Sequence, residues 1–128
     1  FDQGPYTPPE EPLAGVERMA RCVGAIARAF PTLKVIGSVF SYLRQLSPYF
    51  AAGMVAQNGV AMAGFGREAF AYPAFARDLL SGEGMDPKKC CITCGKCTEL
   101  MRMGSKAGCV IRDSAIYADL YRKAKEGI

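Results

Sequence analysis

Five of the chain's six cysteines are clustered in one segment, and the chain contains no histidine. The segment reads CCITCGKCTELMRMGSKAGC and runs from Cys90 to Cys109. Within it the spacing C-x2-C-x2-C-x11-C is formed by Cys91, Cys94, Cys97 and Cys109. Four thiolates at this spacing can enclose one metal centre, because three lie close along the chain and the fourth closes the far side. The segment therefore predicts a metal-binding loop.

The kind of centre follows in part from the spacing. A compact cysteine trio with a distant fourth cysteine is the ferredoxin-type arrangement for a [4Fe-4S] cluster, whereas structural zinc more often has two separated Cys-x2-Cys pairs. Small disulfide-bonded domains spread their cysteines through the chain, which is not the case here. Between Lys88 and Arg112 six basic residues accompany the single acid Glu99, and this charge balances either metal centre. The pattern favours the cluster, and it leaves zinc and disulfides as alternatives.

The composition excludes several other classes of protein. A length of 128 residues suits one domain, and a hydrophobic fraction of 50% allows a core. The net charge of +4 comes without a run of Lys and Arg, so nucleic acid is not an expected partner. No apolar run reaches the roughly 18 residues of a membrane helix, and the first residues, FDQGPYTPPEEP, do not resemble a secretion signal. We expect a cytoplasmic chain without membrane contact, and its start at Phe1 suggests a piece of a longer protein.

The first periodic segment predicts a helix. Apolar residues recur at steps of three and four from Leu13 to Phe30, which predicts a helix over residues 13–29 with this face inward. Cys22 is assigned to the same face as a small apolar packing residue. The predicted elements that follow are a buried strand over 33–37, a helix in two pieces starting at Ser41 and Ser47 and ending at Asn58 and Gly59, a strand over 60–63, a helix through Pro73 to Leu80, and a last helix capped by Asp113 or Ser114 with Ile116, Leu120 and Tyr121 inward.

The order of these elements predicts an α/β fold. Helices alternate with short, continuously apolar strands, which is typical of parallel strands covered by helices. Two strands cannot form an independent sheet with both edges covered, so we expect further strands outside this chain. We divide the chain into barrel-like units over 1–82, a cysteine-rich loop over 83–112 and a C-terminal helix over 113–128. Without the remaining strands we expect the chain to self-associate.

Both predicted strands end in glycine. Gly37 and Ser38 follow the first strand, and Gly66 and Arg67 follow the second. Backbone N–H groups at such loops, with an arginine beside them, form a suitable anion site. A phosphate group is one interpretation. The other is that the glycines only turn the chain and that Arg67 is a solvated residue at a helix start.

Together these motifs resemble a known family. The run VAMAGFGREAFAYPAFARDLL, followed by DPKKCCITCGKC and the later Cys109, is similar to the C-terminal part of the NADH:flavin oxidoreductases, the old yellow enzyme family. The likeness is to the iron-sulfur branch, which includes 2,4-dienoyl-CoA reductase and trimethylamine dehydrogenase. It covers roughly residues 30–112.

The resemblance implies the C-terminal portion of an FMN-binding (β/α)8 TIM barrel, from the sixth helix through the seventh and eighth strands to the eighth helix. In the family, the loops after these two strands hold the FMN phosphate, which here implies Gly37, Ser38, Gly66 and Arg67. The cluster ligands carry over to Cys91, Cys94, Cys97 and Cys109.

The family's chemistry passes hydride from NAD(P)H to FMN and single electrons through the cluster, for a small-molecule substrate. The residues that would face the flavin ring mostly belong to barrel strands outside this chain, so no catalytic residue is assigned. Two departures from the family pattern matter. GSVFS has no second glycine, and the second and third cysteines are separated by two residues where relatives have three, which leaves the cluster type open.

Overall fold

A computed structural model of the chain describes residues 10–127, apart from the side chain of Asn58. These residues form two compact units, of which the first ends at Gly66 and the second begins at Arg67. No helix in this part of the chain is long and apolar enough to cross a membrane. The elements are α1 Pro12–Ala29, β1 Ile36–Gly37, a 3-10 helix Phe40–Leu46, α2 Ser47–Asn58, β2 Met62–Ala63, α3 Gly66–Ala71, α4 Phe75–Leu80, α5 Lys96–Arg102 and α6 Ser114–Glu126.

Helix α1 confirms the first predicted helix. The Glu11 side chain caps its first turn by accepting a hydrogen bond from the Ala14 N–H at 3.0 Å. Val16 and Ala27 are buried on the inward face. Cys22, predicted to lie inward, is exposed. The prediction was wrong because an α-helix turns by 100° per residue. At that angle Val16 and Ala27 lie on one face of α1, and Cys22 points away from it.

The sheet of the first unit consists of β1 and β2, which are parallel, with Ile36 opposite Met62 and Gly37 opposite Ala63. Ile36 and Met62 are 56% and 53% exposed, so the prediction of a buried first strand is wrong for this face. Successive side chains on a strand point to opposite faces, and Gly37 is buried on the other face. The exposed pair forms an apolar surface on the sheet.

The core of the first unit is built around Phe40, which is 1% exposed. Its ring centroid lies 5.9 Å from that of Phe50 and 5.8 Å from that of Phe65. The predicted helix in two pieces is confirmed as the 3-10 helix followed by α2. Gly59 ends α2 in the left-handed conformation (φ 73°), which a glycine adopts readily, and this end of the helix agrees with the prediction.

In the second unit the helix predicted to run through Pro73 is interrupted. Proline lacks an N–H donor and disfavours helical geometry in the residue before it, so α3 and α4 are separated at Tyr72 and Pro73. Tyr72 instead packs with Met85 and Cys90 in a small core. Helix α6 confirms the last predicted helix, although Ile116, predicted to lie inward, is 56% exposed.

Candidate metal site

The four predicted metal-ligating cysteines line one small pocket in the second unit. Its walls are formed by Arg67, Phe70, Cys91, Ile92, Cys94, Gly95, Cys97, Cys109, Val110, Ile111 and Arg112. Cys90 is not part of these walls. It is fully buried in the core, and its Sγ lies 3.3 Å from the carbonyl oxygen of Asp86. The structure therefore brings the four cysteines to one place and assigns their neighbour Cys90 to packing.

Two left-handed residues fold the first three cysteines around the pocket. Thr93 has φ 55° and Gly95 has φ 77°. Gly95 immediately precedes α5, which carries Cys97 in its first turn. A β-branched residue rarely adopts this conformation, which costs about 1 to 2 kcal/mol for an L-residue. Such strain is found most often at functional sites, where the surrounding structure enforces it.

Two of the sulfurs accept hydrogen bonds from backbone N–H groups. The Thr93 N–H donates to Sγ of Cys91 at 3.3 Å, and the Arg112 N–H donates to Sγ of Cys109 at 3.3 Å. Backbone donors of this kind compensate the negative charge of a thiolate, and they orient metal ligands and tune the bound metal. The first and fourth cysteines of the motif thus each already have one such donor.

The peptide bond between Cys90 and Cys91 is held on both sides. The buried Glu68 carboxylate accepts the Cys91 N–H, at 3.1 Å to Oε1 and 3.2 Å to Oε2. The Arg112 guanidinium donates to the carbonyl oxygen of Cys90, at 3.2 Å from Nε and 3.0 Å from Nη2. Glu68 lies 23 residues before Cys91, and no sequence pattern predicted either contact.

The electrostatics of the pocket act on Cys91 in both directions. Burial raises the pKa of the Cys91 thiol above its ordinary value, and the Thr93 N–H and the Arg67 charge offset this only in part. The thiol is therefore protonated at neutral pH. A metal that binds here must displace this proton, as metals do at cysteine ligands generally.

The donor set suits a thiophilic metal, whereas the space is narrow. Four thiols, two N–H donors to sulfur and two arginines suit an anionic tetrathiolate centre. The pocket has a volume of about 20 Å³, which is room for about one water molecule. Across residues 10–127, no three Cys, His, Asp or Glu side chains are grouped so that they could hold a metal ion. The loops must therefore rearrange around a bound metal, and more so for a cluster than for a single ion.

The residues that were predicted to bind the FMN phosphate belong to both units. Gly37, Ser38 and Gly66 belong to the first unit, where the Gly64 N–H donates to the Gly37 carbonyl at 2.7 Å and keeps the two strand ends together. Arg67 begins the second unit, and it lines the cysteine pocket. The structure thus places Arg67 beside the cysteines, which the sequence did not predict.

Comparisons with protein-family models, with curated proteins and with solved structures found no match to this chain.

Proposed function

We propose that the chain is part of an FMN- and iron-sulfur-dependent NAD(P)H:flavin oxidoreductase, and that its second unit holds the metal centre. The observation that carries the proposal is the pocket lined by all four cysteines of the motif. The hydrogen bonds from backbone N–H groups to two of the sulfurs support it further. The motif spacing favours a [4Fe-4S] cluster as the occupant.

The residues that line the pocket would have different roles in such a site. Cys91, Cys94, Cys97 and Cys109 would hold the cluster, which when bound supplies one-electron transfer. Phe70, Ile92 and Val110 place apolar groups in the walls and limit the access of water to the sulfurs. Arg67 and Arg112 place positive charge beside an anionic centre. No residue of this chain is assigned to proton or hydride transfer.

The flavin part of the proposal rests on the sequence resemblance. It assigns the FMN phosphate to Gly37, Ser38, Gly66 and Arg67, and it assigns the ring, the substrate and NAD(P)H to barrel strands outside this chain. The proposal includes a cytoplasmic location. It also includes a partner for the exposed apolar face of β1 and β2, which is the rest of the barrel in the intact protein and a second copy in the isolated chain.

A structural zinc site is the second candidate, and the size of the pocket favours it. Tetrahedral zinc binds four thiolates at about 2.3 Å and needs space for only one ion. A pocket of about 20 Å³ is closer to that requirement than to the space for a cubane. In this case the second unit is a structural or interaction module without redox activity.

The visible spectrum of anaerobically purified protein separates the two candidates, together with analysis for iron, acid-labile sulfide and zinc. We expect a brown protein with iron and sulfide and a broad absorbance that bleaches on reduction. A colourless protein with one zinc ion per chain would replace the cluster by the zinc module. A colourless protein without metal, with its cysteines oxidised in pairs, would reject both.

A further inference from the structure

We propose that Glu68 and Arg112 are positioning residues of the four-cysteine site, which fix the place where Cys91 presents its sulfur to a metal. The inference rests on the proposed metal-binding function. It concerns residues outside the cysteine motif, and it assigns a role to a fully buried carboxylate that packing alone does not explain.

One peptide group of the site is held at both ends. The carbonyl of Cys90 and the N–H of Cys91 belong to the same planar unit. Glu68 accepts from the N–H at 3.1 and 3.2 Å, while Arg112 donates to the carbonyl at 3.0 and 3.2 Å. A peptide that is held by charged groups at both ends cannot rotate freely. The φ torsion and the χ1 torsion of Cys91 are then the main freedoms left to its sulfur.

Arg112 contacts both ends of the motif. Its guanidinium bonds to Cys90, next to the first ligand, and its backbone N–H bonds to Sγ of Cys109, the fourth ligand. The two segments are separated by many residues along the chain, so a contact between them is costly in entropy unless something holds it. Arg112 holds them together, and metal binding does not have to supply that closure.

Glu68 is fully buried. Its side chain is among the largest fully buried ones in the chain, and a buried carboxylate is costly unless it is hydrogen-bonded. The Cys91 N–H donates one hydrogen bond that is shared between its two oxygens. The carboxylate therefore helps to hold the backbone of a cysteine that lines the pocket.

Two conservative variants test the proposal. Glu68→Gln keeps the size of the side chain and removes one acceptor oxygen and the charge. Arg112→Lys keeps the charge and removes the two-pronged donor geometry. Matched controls in the same unit are Glu99→Gln, whose carboxylate accepts from Tyr121 and not from a cysteine, and Arg122→Lys, whose partner is Asp119.

The measurement is a titration of the reduced, metal-free 128-residue chain with Co²⁺, followed by its thiolate charge-transfer absorbance, and in parallel reconstitution with iron and sulfide. We expect Glu68→Gln and Arg112→Lys each to bind Co²⁺ about 10 to 100 times more weakly than the wild type, the usual effect of losing an outer-shell partner. We also expect both to lose reconstituted iron faster to a chelator. The controls should match the wild type.

The outcomes separate this proposal from the function on which it rests. A wild-type chain that takes up neither Co²⁺ nor iron and sulfide would overturn both. A wild-type chain that binds metal, with both variants equal to their controls, would overturn the positioning role alone. Circular dichroism and thermal melting report folding, and the absorbance per cobalt at saturation reports how many thiolates are bound. A variant whose weaker Co²⁺ binding is accompanied by a matching loss of folded protein is merely less stable, and this result also counts against positioning.

Discussion

The backbone N–H of Arg112 donates a hydrogen bond to Sγ of Cys109 at 3.3 Å. Cys109 lies in the turn that leads into α6, where the Asp113 N–H also donates to the Cys109 carbonyl at 2.9 Å. The fourth cysteine is therefore fixed by local backbone structure, although it lies far along the chain from the other three. This arrangement makes the ligand assignment testable one cysteine at a time.

We predict that replacement of Cys91, Cys94, Cys97 or Cys109 by serine removes most of the bound metal. A tetrathiolate centre needs all four ligands, and serine is a poor ligand for the metals that thiolates select. Metal analysis of each purified variant checks this. Cys22→Ser is the control, because Cys22 is exposed and lies in the other unit. Full metal occupancy in Cys109→Ser would show that Cys109 is not the fourth ligand.

We predict that Arg67→Ala weakens FMN binding by the intact protein by about 1 to 3 kcal/mol, the scale of a hydrogen bond to a charged group. Flavin fluorescence during titration measures the affinity. Because Arg67 also lines the cysteine pocket, the metal content of the same variant is measured beside it. Unchanged FMN affinity with reduced metal content would remove Arg67 from the phosphate site and assign it to the metal site.

We predict that the isolated chain self-associates through the exposed pair Ile36 and Met62. Met62→Glu places a charge on that apolar face and should shift the chain toward the monomer, because burying an unpaired carboxylate in an interface is unfavourable. Sedimentation velocity over a range of concentrations follows the change. Leu80→Glu alters an equally apolar residue that is 90% exposed in the second unit, and it should have no such effect. Equal behaviour of the two variants would refute the role of this face.

The helical spacing of apolar residues, together with proline and glycine at helix ends, predicted most of the helices. Pro12 at the start of α1 and Gly59 at the end of α2 are residues whose backbone preferences match those positions, so local chemistry was sufficient there. The strands came out shorter and more exposed than expected. Burial of Ile36 depends on what covers the sheet, and this is not encoded in the residues around it. The break at Pro73 could have been predicted from the sequence, because proline lacks the backbone N–H donor that a helix needs.

At the cysteine site, too, local features were predictable from the sequence and contacts between distant segments were not. The spacing of the motif identified the four residues that line the pocket, because three of them lie within one tight loop. Glu68 and Arg112 were not predicted, since their contacts with Cys91 and Cys90 span more than twenty residues and follow no repeating pattern. A sequence motif names ligands, whereas the residues that orient the ligands come from the fold.

We predict that Asp78 stabilises the chain at neutral pH and that acid removes this contribution. The Tyr72 hydroxyl donates a hydrogen bond to Asp78, Arg77 pairs with it at 2.9 Å and Lys89 lies 3.8 Å away, and these contacts hold the pKa of Asp78 below its ordinary value. A lowered carboxyl pKa adds stability above the ordinary pKa of about 4, and the contribution is lost as the pH falls from there through the lowered value.

Urea unfolding of the wild type and of Asp78→Asn at several pH values tests this. The variant should be less stable at pH 7, and the difference should shrink as the pH falls below about 4. Asp119→Asn is the comparison, because Asp119 is 48% exposed and its ion pairs are screened by solvent. A stability difference for Asp78→Asn that stays constant down to acid pH would show that the ionised form of Asp78 is not the source.

We predict that the two glycines assigned to the phosphate loops differ in what they do for the fold. A Cβ on Gly37 would lie 3.1 Å from Cζ of Phe40, and that ring cannot give way because it is packed between Phe50 and Phe65. Gly37→Ala should therefore cost about 1 to 3 kcal/mol in the free energy of unfolding.

A Cβ on Gly66 would meet nothing within 4 Å, so Gly66→Ala should leave the fold intact and slightly favour α3. Chemical unfolding of both variants measures this, and FMN titration of the Gly66→Ala intact protein then reports ligand contact without a folding defect. Loss of stability in Gly66→Ala equal to that in Gly37→Ala would contradict the distinction.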